Sequence, residues 1–346
     1  MKYKYSKVVG IGGIGTGMLF LTDTDTILGR SESRLAELSP AKDYCKQHIV
    51  LHYTSALLSP NVKILPIGFV GKDAHGDQLV HEIRGAGMDT SFLLSDPTLP
   101  TMLSVCLQYP DKETCNFTAS NSACNLVTPE HVQNCLEQIG IGKDTIVAAI
   151  PEVRAESRVK MLRYGKGKGA FCVLSIPEAE ANEFKAADVF KCCDFISVNH
   201  QEALAITPGD ESDKAAAGRL YDYLRGFNPQ IMLLVTAGSR GSYSACNGRI
   251  EYIPCMSVDA VNTTGAGDAC LGGTLAGLAM GLPFQKGRDD QSFGQTPISS
   301  AVELGTLCAG MAVETVDTIA LQVNAGSILK RISDSGWEKS QDFSLS

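Results

Sequence analysis

Asn262-Thr263-Thr264-Gly265-Ala266-Gly267-Asp268-Ala269-Cys270-Leu271-Gly272-Gly273 is a Gly-rich loop that runs straight into an apolar helix ending near Met280. Gly265 and Gly267 remove side chains where the N–H groups of a helix N-terminus point outward. Orphan donors and the positive end of the helix dipole then converge on an anion. A carboxylate in that turn, Asp268, is kept ionised by the same field. Donors for an oxyanion beside an ionised base suit group transfer to a hydroxyl. Taken alone, the stretch also reads as a Gly-rich loop with Asp as a helix cap.

Upstream, short β-branched runs alternate with helical segments. Residues 145–150, 171–176, 194–198 and 231–235 read as buried strands, and 158–164 and 213–227 have helical spacing. This alternation implies right-handed βαβ units and an α/β fold: a doubly wound, mainly parallel central sheet flanked by helices. Residues 243–253 break the rhythm with a hairpin turning at Asn247-Gly248. Helices at about 266–281, 298–314 and 324–334 close the chain. In the first 125 residues, Val8-Val9 opens a strand, 64–69 forms another, and 44–58 between them reads as helix. Residues 17–30 and 100–118 read as antiparallel strands with polar turns. They predict a small β lid, about 17–40 and 98–120, inserted into one domain spanning 1–346.

Of 346 residues, 30 are Lys or Arg and 38 Asp or Glu, a formal charge of −8. That balance argues against a general nucleic-acid or anionic-membrane binder, and 44% hydrophobic with 20% charged residues excludes a disordered chain. The 34 glycines are about a tenth of the chain, above the usual share of roughly 7%, so backbone must approach something closely. Twelve scattered cysteines form no CxxC pair, and they read as small buried hydrophobes of a reduced, cytoplasmic protein. Lys2, Lys4 and Lys7 before the apolar stretch of residues 8–21 resemble a signal peptide, but four glycines interrupt its first eight residues and no small-x-small cleavage site follows. The most apolar later stretch, about 269–284, is shorter than a membrane span and carries Pro283.

Other motifs fail on context. Gly10-Ile11-Gly12-Gly13-Ile14-Gly15 matches GxGxxG after a strand, yet strand and turn follow where a dinucleotide site needs a helix and a later acidic residue. His48 and His52 stand one helical turn apart without an HExxH glutamate, which favours a polar helix face or a substrate contact over a metal pair. No GxSxG elbow or Walker A loop is present; Gly165-Lys166-Gly167-Lys168-Gly169 reads as a solvated basic turn.

The run Thr263-Thr264-Gly265-Ala266-Gly267-Asp268-Ala269 with its glycine-spotted helix resembles the signature of the ribokinase-like (PfkB) carbohydrate kinases. Further pieces stand in that family's order. Gly68-Phe69-Val70-Gly71-Lys72-Asp73-Ala74-His75-Gly76 resembles its G-x-V-G-x-D-x-x-G segment, and Pro151-Glu152-Val153 its P-E-V segment. Asn199-His200-Gln201-Glu202 is similar to N-x-x-E, and Val235-Thr236-Ala237-Gly238-Ser239-Arg240-Gly241 to V-T-x-G-x-x-G. The resemblance implies a kinase using ATP and Mg²⁺. Asp268 would take the proton of a substrate hydroxyl, and the N–H groups of Gly265, Ala266 and Gly267 would hold the transferring phosphoryl group. Asn199 and Glu202 would organise Mg²⁺ and its waters; Thr236, Gly238 and Gly241 would line the nucleotide channel; Glu152 would sit near the acceptor. An Asp with a pKa of about 4 can position the hydroxyl and collect its proton late in a loose transition state. A homodimer through the lid is a further implication of the resemblance.

The departures cluster on the acceptor side. The family usually has an Asp just after the first strand; here that region is Gly12-Gly13-Ile14-Gly15-Thr16-Gly17, with Gly13 in an acceptor-side floor and no carboxylate. Where its G-G-x-x-x-N segment should fall stands Asp43-Tyr44-Cys45-Lys46-Gln47-His48, followed by His52 and Tyr53. Asp43, Lys46, His48 and His52, with a lid residue such as Asp25 or Asn116, are therefore the candidates to replace the missing sugar contacts. A cationic helix face there would suit an acceptor carrying a carboxylate or phosphate. Asn262 replaces the Asp that commonly opens the signature loop, removing a charge from a nearby K⁺ site, and Val313-Glu314-Thr315-Val316-Asp317 replaces the usual Gly-Ala turn. The expectation is a kinase for a sugar, sugar acid or related polyol. A nucleoside kinase or a non-catalytic ligand-binding relative are the alternatives.

Overall fold

Val8 and Val9, adjacent in the first strand, enter different cores. Val8, Ile146, Ala148 and Ile150 join one, and Val9, Val147 and Ala149 the other. Strand side chains alternate between faces, so both faces of this sheet are apolar, as a parallel sheet covered by helices on both sides requires. The computed structural model describes residues 3–111, 114–287 and 298–334.

In chain order, β1 (Lys7–Ile11), β2 (Gly15–Leu21), β3 (Glu37–Leu38) and β4 (Asp43–Tyr44) lead to α1 (Lys46–Leu58) and β5 (Lys63–Gly71). α2 (Ala74–Gly85), β6 (Leu93–Asp96), β7 (Met102–Gln108), β8 (Thr114–Thr118) and α3 (Pro129–Ile139) follow. Then come β9 (Thr145–Ala149), α4 (Ala155–Lys168), β10 (Phe171–Ser175), α5 (Ala181–Ala186), β11 (Phe195–Asn199), α6 (His200–Ile206), α7 (Asp213–Arg225) and β12 (Met232–Thr236). The hairpin of β13 (Ser242–Cys246) and β14 (Arg249–Ile253) precedes α8 (Ala266–Met280), α9 (Ala301–Ala312) and α10 (Ala325–Asp334). The central sheet has nine strands in the order β14-β13-β12-β11-β10-β9-β1-β5-β6. Pairing is parallel from β12 through β6, with the hairpin antiparallel at one edge. Asn247 and Gly248 both have positive φ, 50° and 79°, as a two-residue Asn-Gly turn requires.

A second sheet, β3-β2-β7-β8 with β4 on β2, stands over the carboxyl ends of the first. β7 and β8 are antiparallel, but β2 and β7 pair in parallel, Gly15 opposite Met102. The two strands were expected to be antiparallel. β1 and β6 run in the same direction, and each feeds its lid strand after a short connection without reversing, so the lid strands leave together. A second expectation fails at 165–169, which ends α4 instead of forming a solvated turn. A Cβ on Gly165 would come within 2.8 Å of Val147, and Gly169 caps the helix at φ +77°. Lys166 and Lys168 lie in the last turn, where the dipole favours cations.

α8 is largely buried, and glycines set its distance from its neighbours. A Cβ on Gly273 would lie 2.9 Å from the Gly305 Cα, and one on Gly277 2.7 Å from the Ala301 Cα. α8 and α9 thus pack backbone against backbone, which fixes the helix that carries Asp268. All twelve cysteines are free, and nine of them are buried. Among the described residues, no helix is long and apolar enough to cross a membrane.

Candidate active site

Parallel sheets bind ligands beyond the carboxyl ends of their strands. Here a cavity of about 410 Å³ opens there, lined by Ser175, Ser197, Asn199 and Thr236 from the sheet and by Thr16 and Ser104 from the lid. A second, mostly apolar cavity of about 280 Å³ lies between the Gly238–Arg240 turn, Met256 and Val258, and α9. The two meet at Thr236 and Gly267, which line both.

The loop between them is held from behind. Asn262 Oδ1 accepts the Thr264 N–H at 3.0 Å, and its Nδ2 donates to the Val316 carbonyl at 2.8 Å. Gly265 caps α8 with φ +80°, a conformation that favours glycine, and a Cβ there would press to 2.9 Å from the Thr318 carbonyl. The Ala266 N–H donates to the Thr263 carbonyl at 3.3 Å, whereas no acceptor among the described residues takes the N–H groups of Gly265 and Gly267. Two free donors therefore remain of the three expected. Asp268 is recessed in the larger cavity. Desolvation there, opposed by Lys46 and reinforced by Glu202 and Asp43, lifts its carboxyl to about 6. An aspartate held near its ordinary value by the helix was expected; the loss of water outweighs that field.

Lys46 opens α1 and ties three carboxylates together. Its N–H donates to Glu152 Oε2 at 3.1 Å, and its Nζ lies 3.9 Å from Glu202 Oε1. Burial lowers the lysine's pKa, but Asp268, Glu202 and Glu152 together raise it above the usual value. Glu152 follows β9 at φ +75°, a strained conformation for a side chain of its size. Desolvation raises its carboxyl to about 7, against Lys46 and with Asp268. Glu202 and Asn199 form the capping box that starts α6: the Asn199 N–H donates to Glu202 Oε2 at 2.7 Å, and the Glu202 N–H to Asn199 Oδ1 at 2.9 Å. Only Glu202 Oε1 is left facing the cavity side. Among the described residues, no group of three or more His, Cys, Asp or Glu could cage a metal. A Mg²⁺ ion that keeps its waters and rides on phosphates fits this donor set; an all-protein site does not.

The structure brings together Asp268, Gly265, Gly267, Glu152, Lys46, Asn199, Glu202 and Thr236 around the larger cavity. Ala266 lines the smaller one with Thr236, Gly238 and Gly241. His48 and His52 do not join them. Both are buried within α1, His48 edge-on to Tyr44 at 4.6 Å, and desolvation depresses them to about 3 and about 4. They are neutral, which leaves Lys46 alone of the cationic helix face that was expected. Gly13 is buried under the site without lining it: a Cβ there would fall 2.7 Å from Glu152 Oε2, so its role is the socket of Glu152. Asp25 is exposed and outside the cavity, while Asn116 lines it. Asp43 lines it as well, its carboxylate lying over Gly17 and accepting from Cys106 Sγ at 3.2 Å. Ser104 and Thr318 are lining residues that carried no sequence signal, while Thr264 belongs to the signature loop.

Residues 51–324 match the model of the pfkB family carbohydrate kinases. The chain belongs to this family. It is 25% identical over 271 residues to fructokinase-2 of Oryza sativa subsp. japonica, covering 74% of this chain and 77% of that one. It is 27% identical over 222 residues to the deoxyribokinase of Salmonella typhi, covering 61% and 67%. The fold is similar to that of the ribokinase from Giardia lamblia, with a TM-score of 0.79, 18% identity and coverage of 95% and 99%. A putative ribokinase II from E. coli in complex with ATP and Mg²⁺ superposes with a TM-score of 0.71, 19% identity and coverage of 95% and 99%. The protein is accordingly a phosphotransferase with an alcohol group as acceptor.

Proposed function

We propose that the protein transfers the γ-phosphoryl group of ATP to a hydroxyl of a neutral sugar or related polyol. The observation that carries this reading is the meeting of two cavities at Gly267, with Asp268 recessed in the polar one. The apolar cavity suits an adenine and the polar one an acceptor. Asp268 orients the acceptor hydroxyl and takes its proton, while the free N–H groups of Gly265 and Gly267 hold the phosphoryl oxygens. Glu202 and Asn199 would hold the waters of a nucleotide-borne Mg²⁺, which when bound screens the phosphate charge. The complexes with ATP and Mg²⁺ and with ribose and ATP reported for ribokinases of similar fold support this assignment of ligands.

The acceptor is neutral on this reading because Asp43, Glu152, Glu202 and Asp268 all line the larger cavity, whereas the two histidines that would have made it cationic are buried and uncharged. No K⁺ is needed, since the Asn262 amide already ties the signature loop to the Val316 carbonyl. The free thiols and the use of ATP suit the cytoplasm. Leu38 on β3 and Phe117 on β8 are exposed apolar residues of the lid, which supports a homodimer through that sheet. The test is the purified protein with ATP and Mg²⁺, with and without K⁺, against neutral sugars, sugar acids and nucleosides. Neutral sugars are expected to be phosphorylated independently of K⁺; a preference for sugar acids would overturn the acceptor assignment.

A further inference from the structure

We propose that Lys46 is a catalytic residue whose ammonium group binds the γ-phosphoryl group as it passes from the nucleotide to the acceptor hydroxyl. The proposal rests on the kinase reading above and adds a cation supplied by this chain.

Lys46 lines the same cavity as Gly265, Gly267, Asp268 and Thr236, on the helix facing the loop. It stands in the first turn of α1, where the positive end of the helix disfavours a cation. Among the described residues its Nζ makes no hydrogen bond; its nearest carboxylate oxygen, on Glu202, is 3.9 Å away, beyond hydrogen-bond reach. Its side chain remains 34% exposed. An ammonium held by charge on several sides but bonded on none is free to turn toward a ligand, and the four-carbon stem gives it the reach.

The surroundings supply the need. Four carboxylates line this cavity, and its other lysine, Lys42, is engaged with Glu82 at 2.9 Å. A terminal phosphate entering among those carboxylates gains charge compensation from Lys46 at the point of crossing. In the step itself, the bond from the γ-phosphorus to the β,γ-bridging oxygen breaks, and its electron pair stays on ADP. The acceptor oxygen forms the new bond to phosphorus, and its proton goes to a carboxylate oxygen of Asp268. In a loose transition state the charge is spread over the three equatorial oxygens of the transferring group, and a positioned cation beside them stabilises it without having to reorganise.

Affinities for ATP and for ADP, each with Mg²⁺, are to be measured by calorimetry on the wild-type protein, Lys46→Met and Lys46→Arg. Lys46→Met is expected to weaken ATP by about tenfold or more while ADP changes less than about twofold, with Lys46→Arg recovering most of the loss. The unchanged ADP affinity also reports a folded variant. For any neutral sugar that is turned over, Lys46→Met should lower kcat by about a hundredfold with acceptor KM within about threefold. Equal weakening of both nucleotides, no change in either, or a raised acceptor KM at unchanged kcat overturns the proposal. A wild-type protein that binds neither nucleotide overturns the kinase reading itself.

Discussion

At the scale of single residues, Asp268 sets the most accessible consequence. The proposed base works ionised, and its pKa is lifted from the ordinary carboxylate value to about 6. The deprotonated form accumulates above that pH, so kcat/KM should fall about tenfold per pH unit below roughly pH 6. A pH–rate profile with an acidic limb near 4 would show a base that keeps its water. Asp268, Gly265 and Gly267 were legible in the sequence because a Gly-rich helix start beside an Asp has local chemistry that survives without tertiary context. Its pKa was not legible, since desolvation comes from residues distant in sequence. His48 and His52 show the same boundary: a spacing of four puts both on one helix face, but only the packing of α1 into the rest of the fold decides that this face is buried. Lys46 and Asp43 were readable as residue types in the right segment, while their partners Glu202 and Cys106 come from other strands and helices.

At the scale of elements, the glycine excess has two uses. Gly265 and Gly267 serve the loop, but Gly273, Gly277 and Gly305 bring α8 and α9 into backbone contact behind it. Gly273→Ala would place a methyl group 2.7 Å from Cys308 Sγ and 2.9 Å from the Gly305 Cα. The Gly305 Cα, as backbone, cannot yield without moving α9. The expected cost is about 1–3 kcal/mol of unfolding free energy, read by denaturant titration, together with a loss of kcat as the turn holding Asp268 shifts. Unchanged stability would mean that the helices are not held by this contact. The β-branched strands and the Asn-Gly hairpin were legible from period and turn chemistry. The start of α3 has a local signal of the same kind, Thr128 as N-cap with Pro129 in the first turn. The parallel pairing of β2 with β7 had no sequence signal, because it follows from the direction in which β1 and β6 leave the main sheet.

At the scale of the whole molecule, alternating strands and helices with five motif segments in family order made the central architecture legible. The lid was visible only as a place, because its strands are short and one face is exposed. That exposed face carries the dimer prediction. Sedimentation should give a dimer, and Phe117→Glu should shift it toward monomer without unfolding the protein; a wild-type monomer at working concentration would contradict the lid interface. The central claim, phosphoryl transfer through Asp268 to a neutral polyol, is tested most directly by mass spectrometry of neutral sugars incubated with the protein, ATP and Mg²⁺. The expected result is one phosphate added to a sugar by the wild-type protein and a loss of about a thousandfold or more in Asp268→Asn. Sugars that remain unmodified, or an Asp268→Asn protein as active as the wild type, would contradict it.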